Sequence, residues 1–379
     1  MALINKLSSI GDAIREKTGK TGLLTLDQMP AEIAGIETSG GSIEIEPIVL
    51  TGSLSYIGKG PLASKTIEVF GNKITTNNLK HINNMFEYCE VTNIPFELNM
   101  YNETYYYDCY NLFSHAEKLE TPPIMNNFHP RSLSHMFYYC TNLRTMPENV
   151  FNNWDYNRIN TSSSADISGM FDQCYSLRNI PESFLKNLYS ASTDSSYNLF
   201  YYGFNSCYCL DEIRGITLNP NINMTSNMFY YTFNLCSRVK DIIFDCNEDG
   251  SSKTITAKNQ TIDLSKSIGY ASSSNKIMGY NSGIPDGKRV TDDTTYQSLK
   301  DDADWWTTNV AYSRYNHDSA VRTINSLPDT SAYLASAGGT NTIKFKGESG
   351  SSTDGGAINT LTEEEIAVAT AKGWTVTLV

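Results

Sequence analysis

The chain has 379 residues, of which 40% are hydrophobic and 18% are charged, and this composition excludes an extended disordered tail. The formal net charge is −12 and Lys and Arg form no cluster, which excludes the basic stripe of a nucleic-acid-binding protein. No apolar run approaches the ~18 residues of a membrane-spanning helix, so we expect no membrane insertion.

The N-terminal segment is predicted to form a small helical module at residues 1–40. Apolar residues recur at helical spacing up to Ile14, and Gly19 follows as a stop. A second short helix with Thr25 as its N-cap and a flexible Gly/Ser-rich break at residues 38–42 come next. Such a module is too small to bury a sufficient core alone, so we expect it to pack on a partner or on its own copies. It lacks the features of a signal peptide, so we expect synthesis and folding in a cytoplasm.

Residues 41–70 contain two alternating apolar stretches, IEIEPIVL and TIEVF, with a Gly/Pro-containing turn between them. This alternation is typical of strands that are buried on one side. We therefore expect a strand-rich cap that covers the first open edge of the structure that follows.

Residues 71–246 contain a degenerate repeat. Each copy reads Phe, two residues, usually Cys, two or three residues, Leu or Val, two residues, and then Ile, Met or Pro, as in FYYCTNLRTMP. The anchoring Phe residues, separated by 27, 24, 34, 33 and 29 residues, are Phe86, Phe113, Phe137, Phe171, Phe204 and Phe233. A period of this size is typical of stacked-repeat proteins. In each copy we expect a helical or irregular segment around the Phe, a turn, and a short strand near Leu-x-x-Ile.

Most of the 8 cysteines belong to the repeat. Those at the same place in successive copies are Cys89, Cys140, Cys174, Cys207 and Cys236. Equivalent positions of stacked copies meet at one site, and Cys is among the most buried residue types, so we predict that these thiols fill the core without redox chemistry. Cys207 and Cys209 form C-x-C, which is not the paired C-x-x-C of a zinc site.

The last part of the chain is predicted to contain two segments. Residues 247–315 read as an irregular continuation with short strands and one helix, in which the Trp pair at 305–306 serves as a packing anchor. Residues 316–379 read as helix, strand, Gly/Ser loop, helix and final strand, with a capping box of Thr362 and Glu365 at the second helix. An αβ unit of this kind can close the last open edge of a stack of repeats.

The Met-Phe-x-x-Cys-x-x-Leu-x-x-Ile-Pro repeat resembles the BspA-like leucine-rich repeats of surface and phage proteins, and the segment from HDSAVRTINSLPD to the end looks like the unit that often follows them. The start, INKLSSIGDAIREKTGKTGLLTLDQMPAEIAGI, is similar to a short module at the front of tail-associated proteins of gut-bacterial phages. The resemblance implies an α/β fold: an irregular leucine-rich-repeat solenoid with a small helical N-terminal module and a C-terminal αβ capping unit. The chain departs from the pattern at Ala116, where Cys is missing, and after Ile213 and Ile242, where Pro is missing.

The same resemblance implies a virion component of the tail, synthesised in the host cytoplasm. We expect a tail fibre or baseplate receptor-binding protein that is not an enzyme. Residues 1–40 would attach it to other virion proteins, and the solenoid would recognise a glycan or a protein of the bacterial host surface. A homo-oligomer is expected from symmetric attachment to a virion. The alternatives are an architectural head or tail fibre without receptor binding, and a surface-polysaccharide depolymerase that uses the acids at residues 292–304.

Tyrosines of the repeats are the candidate receptor contacts. Tyr offers a large contact area with few rotatable bonds, and consecutive Tyr residues cannot all be buried on one face. The candidates are Tyr105, Tyr106, Tyr107, Tyr138, Tyr139, Tyr201, Tyr202, Tyr230 and Tyr231.

Catalytic, cofactor and metal sites are not predicted. The histidines His81, His115, His129, His135 and His317 match no catalytic motif and are expected at surface or half-buried positions. The segment GIPDGKR resembles a phosphate-binding loop only superficially and reads as a turn. Asp245, Asn247 and Asp249 match the first half of a calcium loop, but Thr256 replaces the Glu that closes such a site. A polar turn is the expected structure there, and calcium binding stays open.

Overall fold

A computed structural model of the chain describes residues 2–24, 28–29, 32, 47–54, 61–101, 107–152, 167–188, 202–218, 232–233, 236, 238–265, 315, 317–345 and 361–379. These residues form a mixed α/β structure with few helices and with small parallel sheets. The α-helices are α1 (Ala2–Thr18), α2 (Pro61–Phe70), α3 (Glu182–Leu188), α4 (His317–Ser326), α5 (Ser331–Ala337) and α6 (Glu363–Ala371).

The strands within the same residues are β1 (Ile48–Gly52), β2 (Ile74–Leu79), β3 (Leu98–Asn99), β4 (Tyr107–Asp108), β5 (Met125–Asn126), β6 (Pro130–Ser132), β7 (Phe151–Asn152), β8 (Glu212–Ile216), β9 (Asp241–Phe244), β10 (Thr261–Asp263), β11 (Asn341–Phe345) and β12 (Trp374–Leu378). They pair in parallel as β1–β2, β3–β5–β7, β4–β6, β8–β9 and β10–β11–β12. Among the described residues, we find no helix with the length and apolar character that a bilayer crossing requires.

The segment TIEVF, predicted as a strand, is helical, and this prediction was wrong. Helix α2 begins at Pro61, a residue that is favoured at the first helical position because no partner is needed there for an N–H. Ser64, Ile67 and Phe70 are buried at three-residue steps along one face of α2. Thr, Ile, Val and Phe favour strands intrinsically, but the helical spacing of the buried residues decided the structure. The strand predicted in IEIEPIVL is confirmed at its last three residues, where β1 begins.

The predicted N-terminal helix is confirmed as α1. Ile14 is buried, and a Cβ added to Gly11 would stand 3.0 Å from Cε of Met29. Helix α1 also contacts β1, so part of the N-terminal module packs on the chain itself. Thr25 and the break predicted at residues 38–42 lie outside the described residues.

Around the anchoring Phe residues the backbone forms consecutive turns. A helical or an irregular segment was predicted there, and the irregular segment is confirmed. Some N–H groups close turns within the copy, as from Cys140 to the Phe137 carbonyl at 3.1 Å. The N–H groups that alternate with them donate to the following copy, as from Phe137 to the Met170 carbonyl at 2.9 Å and from Phe113 to the Met136 carbonyl at 2.8 Å. A copy therefore satisfies its buried backbone groups only with its neighbour in place.

Two positions of positive φ flank each of the five anchoring Phe residues from Phe86 to Phe204, one two residues before the Phe and one two residues after it. The preceding residues are Asn84, Asn111, His135, Gly169 and Tyr202, and the following ones are Tyr88, His115, Tyr139, Gln173 and Ser206. Left-handed backbone costs a non-Gly residue about 1–2 kcal/mol, which the hydrogen bonds between copies must offset. At Gly169 a Cβ would stand 2.8 Å from the exposed His135 ring, so a side chain in this copy would require that ring to move.

The strand predicted near Leu-x-x-Ile is confirmed where β8 contains Ile213 and β9 contains Ile242. In the copies that begin at Phe137 and Phe171, the corresponding segments are joined by one parallel bridge, between Thr145 and Asn179. In the earlier copies the paired strands β3, β5 and β7 lie farther from the anchoring Phe.

The six anchoring Phe rings form one continuous stack in the core. The centroid separations from Phe86 to Phe233 are 5.4, 5.1, 5.3, 5.4 and 5.7 Å, and the interplanar angles do not exceed 15°. Burial of each ring contributes about 1.5–3 kcal/mol, and the contact between rings adds to that contribution.

The repeat cysteines are buried thiols, as predicted. Cys140 Sγ donates to the Phe113 carbonyl at 3.0 Å, and Cys174 Sγ donates to the Phe137 carbonyl at 3.1 Å. The same bond to the preceding copy is made by Cys207 and Cys236. Burial raises the pKa of the Cys140 and Cys174 thiols, which keeps them protonated as donors. Cys therefore does more than fill volume. Its thiol is the second donor to a carbonyl that already accepts an N–H within its own turn.

The C-terminal unit has the predicted order of helices and strands, with α5 in addition. The capping box is confirmed, because the Thr362 hydroxyl accepts from the Glu365 N–H and the Glu365 carboxylate accepts from the Thr362 N–H. Gly373 follows α6 with a φ of 84°, and a Cβ there would stand 2.7 Å from Thr330 Oγ1.

Helix α4 lies along the edge of β9 that does not face β8. The Thr323 hydroxyl donates to the Ile242 carbonyl at 2.8 Å, and the Ser326 hydroxyl accepts from the Phe244 N–H at 3.0 Å. Two hydroxyls one helical turn apart thus take the place of a further strand.

Candidate functional site: an aromatic row across successive copies

Four of the nine predicted receptor contacts lie within the described residues. Tyr138, Tyr139 and Tyr202 are half-buried in the turns of their copies, and Tyr107 lies in β4. The candidates outside the described residues are Tyr105, Tyr106, Tyr201, Tyr230 and Tyr231.

One ring from each of five successive copies forms what we call the aromatic row: Tyr88, His115, Tyr139, Tyr175 and Tyr208. The centroid separations in this order are 4.7, 5.0, 6.0 and 5.2 Å. The rings of Tyr88 and His115 are nearly parallel, at 11°, whereas those of Tyr139 and Tyr175 meet at 68°. The row therefore runs in the direction in which the copies follow one another.

The backbone of the repeat explains why these side chains line up. Tyr88, His115 and Tyr139 occupy the same left-handed position, two residues after the anchoring Phe. In the next two copies the row continues through Tyr175 and Tyr208, four residues after the Phe. Of these five residues the sequence had singled out only Tyr139. Numbering each copy from its Phe would have revealed the others, because an aromatic residue recurs at one of two fixed offsets.

Polar groups surround the centre of the aromatic row. The Gln173 amide donates to the Tyr138 hydroxyl at 3.2 Å and accepts from the Tyr175 hydroxyl at 2.9 Å. The ring of Tyr138 stands edge-on to His115 and to His135, with centroids 5.2 and 5.4 Å away. Hydroxyl, amide and imidazole groups thus lie side by side here.

Burial changes the ionisation of two tyrosines in the aromatic row and of one carboxyl beside it. Burial raises the pKa of Tyr175 and of Tyr208, so both hydroxyls stay protonated. Burial also raises the pKa of Asp172 to about 6, although the Asn205 amide donates to its carboxylate at 2.7 Å and opposes that rise. The row itself is exposed to different degrees, with Tyr88 the most open at 45%.

A second regular feature is a ladder of asparagine amides on β3, β5 and β7, which the sequence reading missed. Asn152 donates to Asn126 at 2.9 Å, Asn126 donates to Asn99 at 2.8 Å, and Asn99 donates to the Thr76 carbonyl at 3.0 Å. Each Asn is the second residue of its strand and follows an apolar residue. The ladder joins neighbouring copies with polar bonds and has no reactive group.

The turn at Asp245 to Gly250 is the polar turn that was expected. Asp249 accepts from the Ser251 N–H at 2.9 Å, the Asn247 amide donates to the Ser251 hydroxyl at 2.9 Å, and Gly250 has a φ of 79°. The Asp245 carboxylate is paired with Lys253. Across the described part of the chain, His, Cys, Asp and Glu form no group of three that could hold a metal ion.

The histidine prediction is confirmed at His81, His115, His135 and His317, which are half-buried or exposed. It was wrong for His129, which is buried at 6% exposure. This residue lies between β5 and β6 with buried neighbours on both sides, so the short connection is enclosed. The loop GIPDGKR, the Trp pair at 305–306 and the acids at residues 292–304 lie outside the described residues.

No protein-family model, no curated protein and no solved structure matches the chain. The aromatic row continues across five successive copies of the repeat.

Proposed function

We propose that the chain is a phage virion protein of the tail fibre or baseplate receptor-binding type. Its irregular leucine-rich-repeat solenoid would recognise the surface of the bacterial host by binding and without catalysis. The observation that supports this proposal best is the aromatic row, a surface to which five successive copies contribute one ring each.

The solenoid is supported by three repeating contacts between copies. The anchoring Phe rings stack in sequence order, the N–H groups of one copy donate to carbonyls of the next, and the thiols bond back to the preceding copy. A structure in which each unit contacts its neighbours in this way extends in one direction and presents a long surface. Such a surface suits recognition of an extended ligand.

The ends of the chain fit the same proposal. Helix α4 occupies the open edge of β9, which is how a terminal unit prevents unwanted strand addition. We assign attachment to other virion proteins to residues 1–40, and we expect a homo-oligomer that follows the symmetry of the attachment site.

Binding of the labelled full chain to a panel of gut-bacterial cells tests the proposal. We expect saturable binding to at least one host, and we expect the triple variant Tyr88→Ala, Tyr139→Ala, Tyr208→Ala to lose at least tenfold in affinity. The matched control is Tyr333→Ala, which removes a half-buried ring from α5 in the C-terminal unit. The control should bind like the unaltered chain.

Three outcomes would contradict this proposal or the part that the aromatic row has in it. Binding that is unchanged in the triple variant would remove the aromatic row from recognition, and no binding to any host of the panel would favour an architectural fibre. Release of reducing ends from host envelope by the purified chain would instead favour a depolymerase, with the acids at residues 292–304 as the first positions to replace.

A further inference from the structure

We infer that the aromatic row binds a linear, uncharged polysaccharide whose chain lies along the direction in which the copies follow one another. This inference rests on the proposed recognition function and specifies its ligand. Three properties of the row lead to it: its regular spacing, its mixture of rings with polar side chains, and the sign of the charge beside it.

The regular spacing favours a polymer of repeating units. Neighbouring rings of the row are separated by 4.7–6.0 Å, and one ring belongs to each copy. Four steps at the ~4.8 Å distance between paired strands make the row about 20 Å long. A chain of similar units can therefore make a similar contact on each copy, whereas a small compact ligand would use one or two copies only.

The mixture of groups favours sugars over polypeptide. Sugars present apolar C–H groups, which contact aromatic rings, and hydroxyls, which need donors and acceptors. Near the centre of the row, Gln173 and the hydroxyls of Tyr138 and Tyr175 supply both. Protein interfaces need a core of buried apolar side chains. Among the described residues of the repeat copies, Tyr88 is the only large hydrophobic residue that is strongly exposed.

The charge beside the row favours an uncharged ligand. The Asp172 carboxylate, which accepts from the Asn205 amide at 2.7 Å, lies beside Tyr175 and Tyr208 and acts electrostatically on both hydroxyls. An acidic polysaccharide would be repelled by this carboxylate. Binding of a neutral chain should change by less than twofold when the salt concentration rises from low to physiological values.

Two treatments of a cell that binds the full chain test the source of the ligand. Periodate, which cleaves sugars at adjacent hydroxyls, should abolish binding, and protease treatment should leave it intact. The reverse result would overturn the inference while leaving receptor binding in place. Neutral polysaccharides extracted from every cell of the panel are assayed in parallel, so the inference is tested even if whole cells fail to bind. Lack of binding to all of these extracts overturns it.

Oligosaccharides of increasing length, prepared from the extract that binds, test the orientation along the row. Affinity should rise with length and reach a plateau when the sugar chain spans about 20 Å. Tyr208→Ala should weaken the longest oligosaccharide by about tenfold and shift the plateau to a shorter length, because it removes one end of the row. Tyr333→Ala should change neither. A plateau at a single sugar, or one that Tyr208→Ala leaves in place, would contradict a ligand that lies along the copies.

Discussion

The turns of the repeat copies and the helices of the C-terminal unit satisfy their backbone groups in different ways. Around Phe137, alternate N–H groups donate to carbonyls of another copy that lies more than thirty residues away, such as that of Met170. In α6 the capping box of Thr362 and Glu365 satisfies N–H groups within the first turn. The repeat therefore depends on distant contacts, and the terminal helix depends on adjacent residues.

This difference has a consequence for stability. Loss of one contact in the stack should destabilise the copies on both sides, because neighbouring copies share backbone hydrogen bonds and stacked Phe rings. Loss of a local contact in α6 should remain local. Substitutions in the stack, at its junction with the C-terminal unit and in the turns test that expectation.

Phe137→Ala should have the largest effect. The ring is buried between Phe113 and Phe171, with centroids 5.1 and 5.3 Å away, so its removal leaves a cavity in the middle of the stack. We expect the free energy of unfolding, measured with urea, to fall by about 3–5 kcal/mol. Phe151→Ala removes a half-buried ring that stacks on Phe128 and is not an anchoring Phe, so it should lower the free energy of unfolding by less. An equal cost at both sites would show that the stack has no special part in stability.

Thr323→Val tests the junction between the two regions. The substitution keeps the shape of the side chain but removes the hydroxyl that donates to the Ile242 carbonyl at 2.8 Å and meets the Tyr315 hydroxyl at 2.7 Å. Both groups are buried, so we expect a loss of about 1–3 kcal/mol in the free energy of unfolding. The control is Thr370→Val in α6, an exposed Thr that bonds the Ile366 carbonyl of its own helix. If the control lowers the free energy of unfolding by as much, the hydrogen bond from α4 to the edge of β9 makes no special contribution to stability.

The thiol bonds between copies can be tested in both directions. Cys140→Ala removes the donor to the Phe113 carbonyl and leaves a small void, so we expect a loss of about 1–2 kcal/mol. Ala116→Cys would place a thiol at the equivalent position of the preceding copy, facing the Phe86 carbonyl. It should stabilise the chain by a few tenths of a kcal/mol to about 1 kcal/mol. Equal destabilisation by both substitutions would mean that Cys only fills volume.

Asp172→Asn should have the smallest effect, and that effect should depend on pH. Burial raises the pKa of Asp172 to about 6, so the folded chain holds this proton more tightly than the unfolded chain does. The carboxyl is protonated in both states below pH ~4, and the folded state loses stability as the pH rises through about 6. Asn lacks this charge and still accepts from Asn205, so the variant should melt about 2 °C higher at pH 8 and should gain less at pH 4.5, where only part of the loss has occurred. A difference in melting temperature that is the same at both pH values would contradict a charge effect.

Local signals in the sequence were sufficient in the C-terminal unit. Thr362, Glu365 and Gly373 act within one or two turns of their own helix, so their pattern predicts the structure directly. In the segment TIEVF, by contrast, intrinsic preference pointed to a strand, and burial against the first copies selected a helix. Short segments of β-branched residues are ambiguous until their partners are known.

The candidate site could be predicted only in part. The abundance of Tyr pointed to the repeats, and Tyr139 was identified, but Tyr88, His115, Tyr175 and Tyr208 were not. The predicted contacts were mostly consecutive tyrosines. Whether a ring belongs to the aromatic row depends instead on how many residues separate it from the anchoring Phe. The hydrogen bonds of Gln173 to two tyrosines of different copies also need the copies to be stacked first.

The repeat, its anchoring Phe and buried Cys positions, and the order of helices and strands of the C-terminal unit apart from α5 could be predicted from the sequence, because periodicity and capping are local properties of a chain. The left-handed backbone beside the Phe residues from Phe86 to Phe204, the thiol bond to the preceding copy and the line of rings from Tyr88 to Tyr208 depend on the folded chain. These features are stable only when a copy distant in sequence supplies the carbonyl or the ring on the other side.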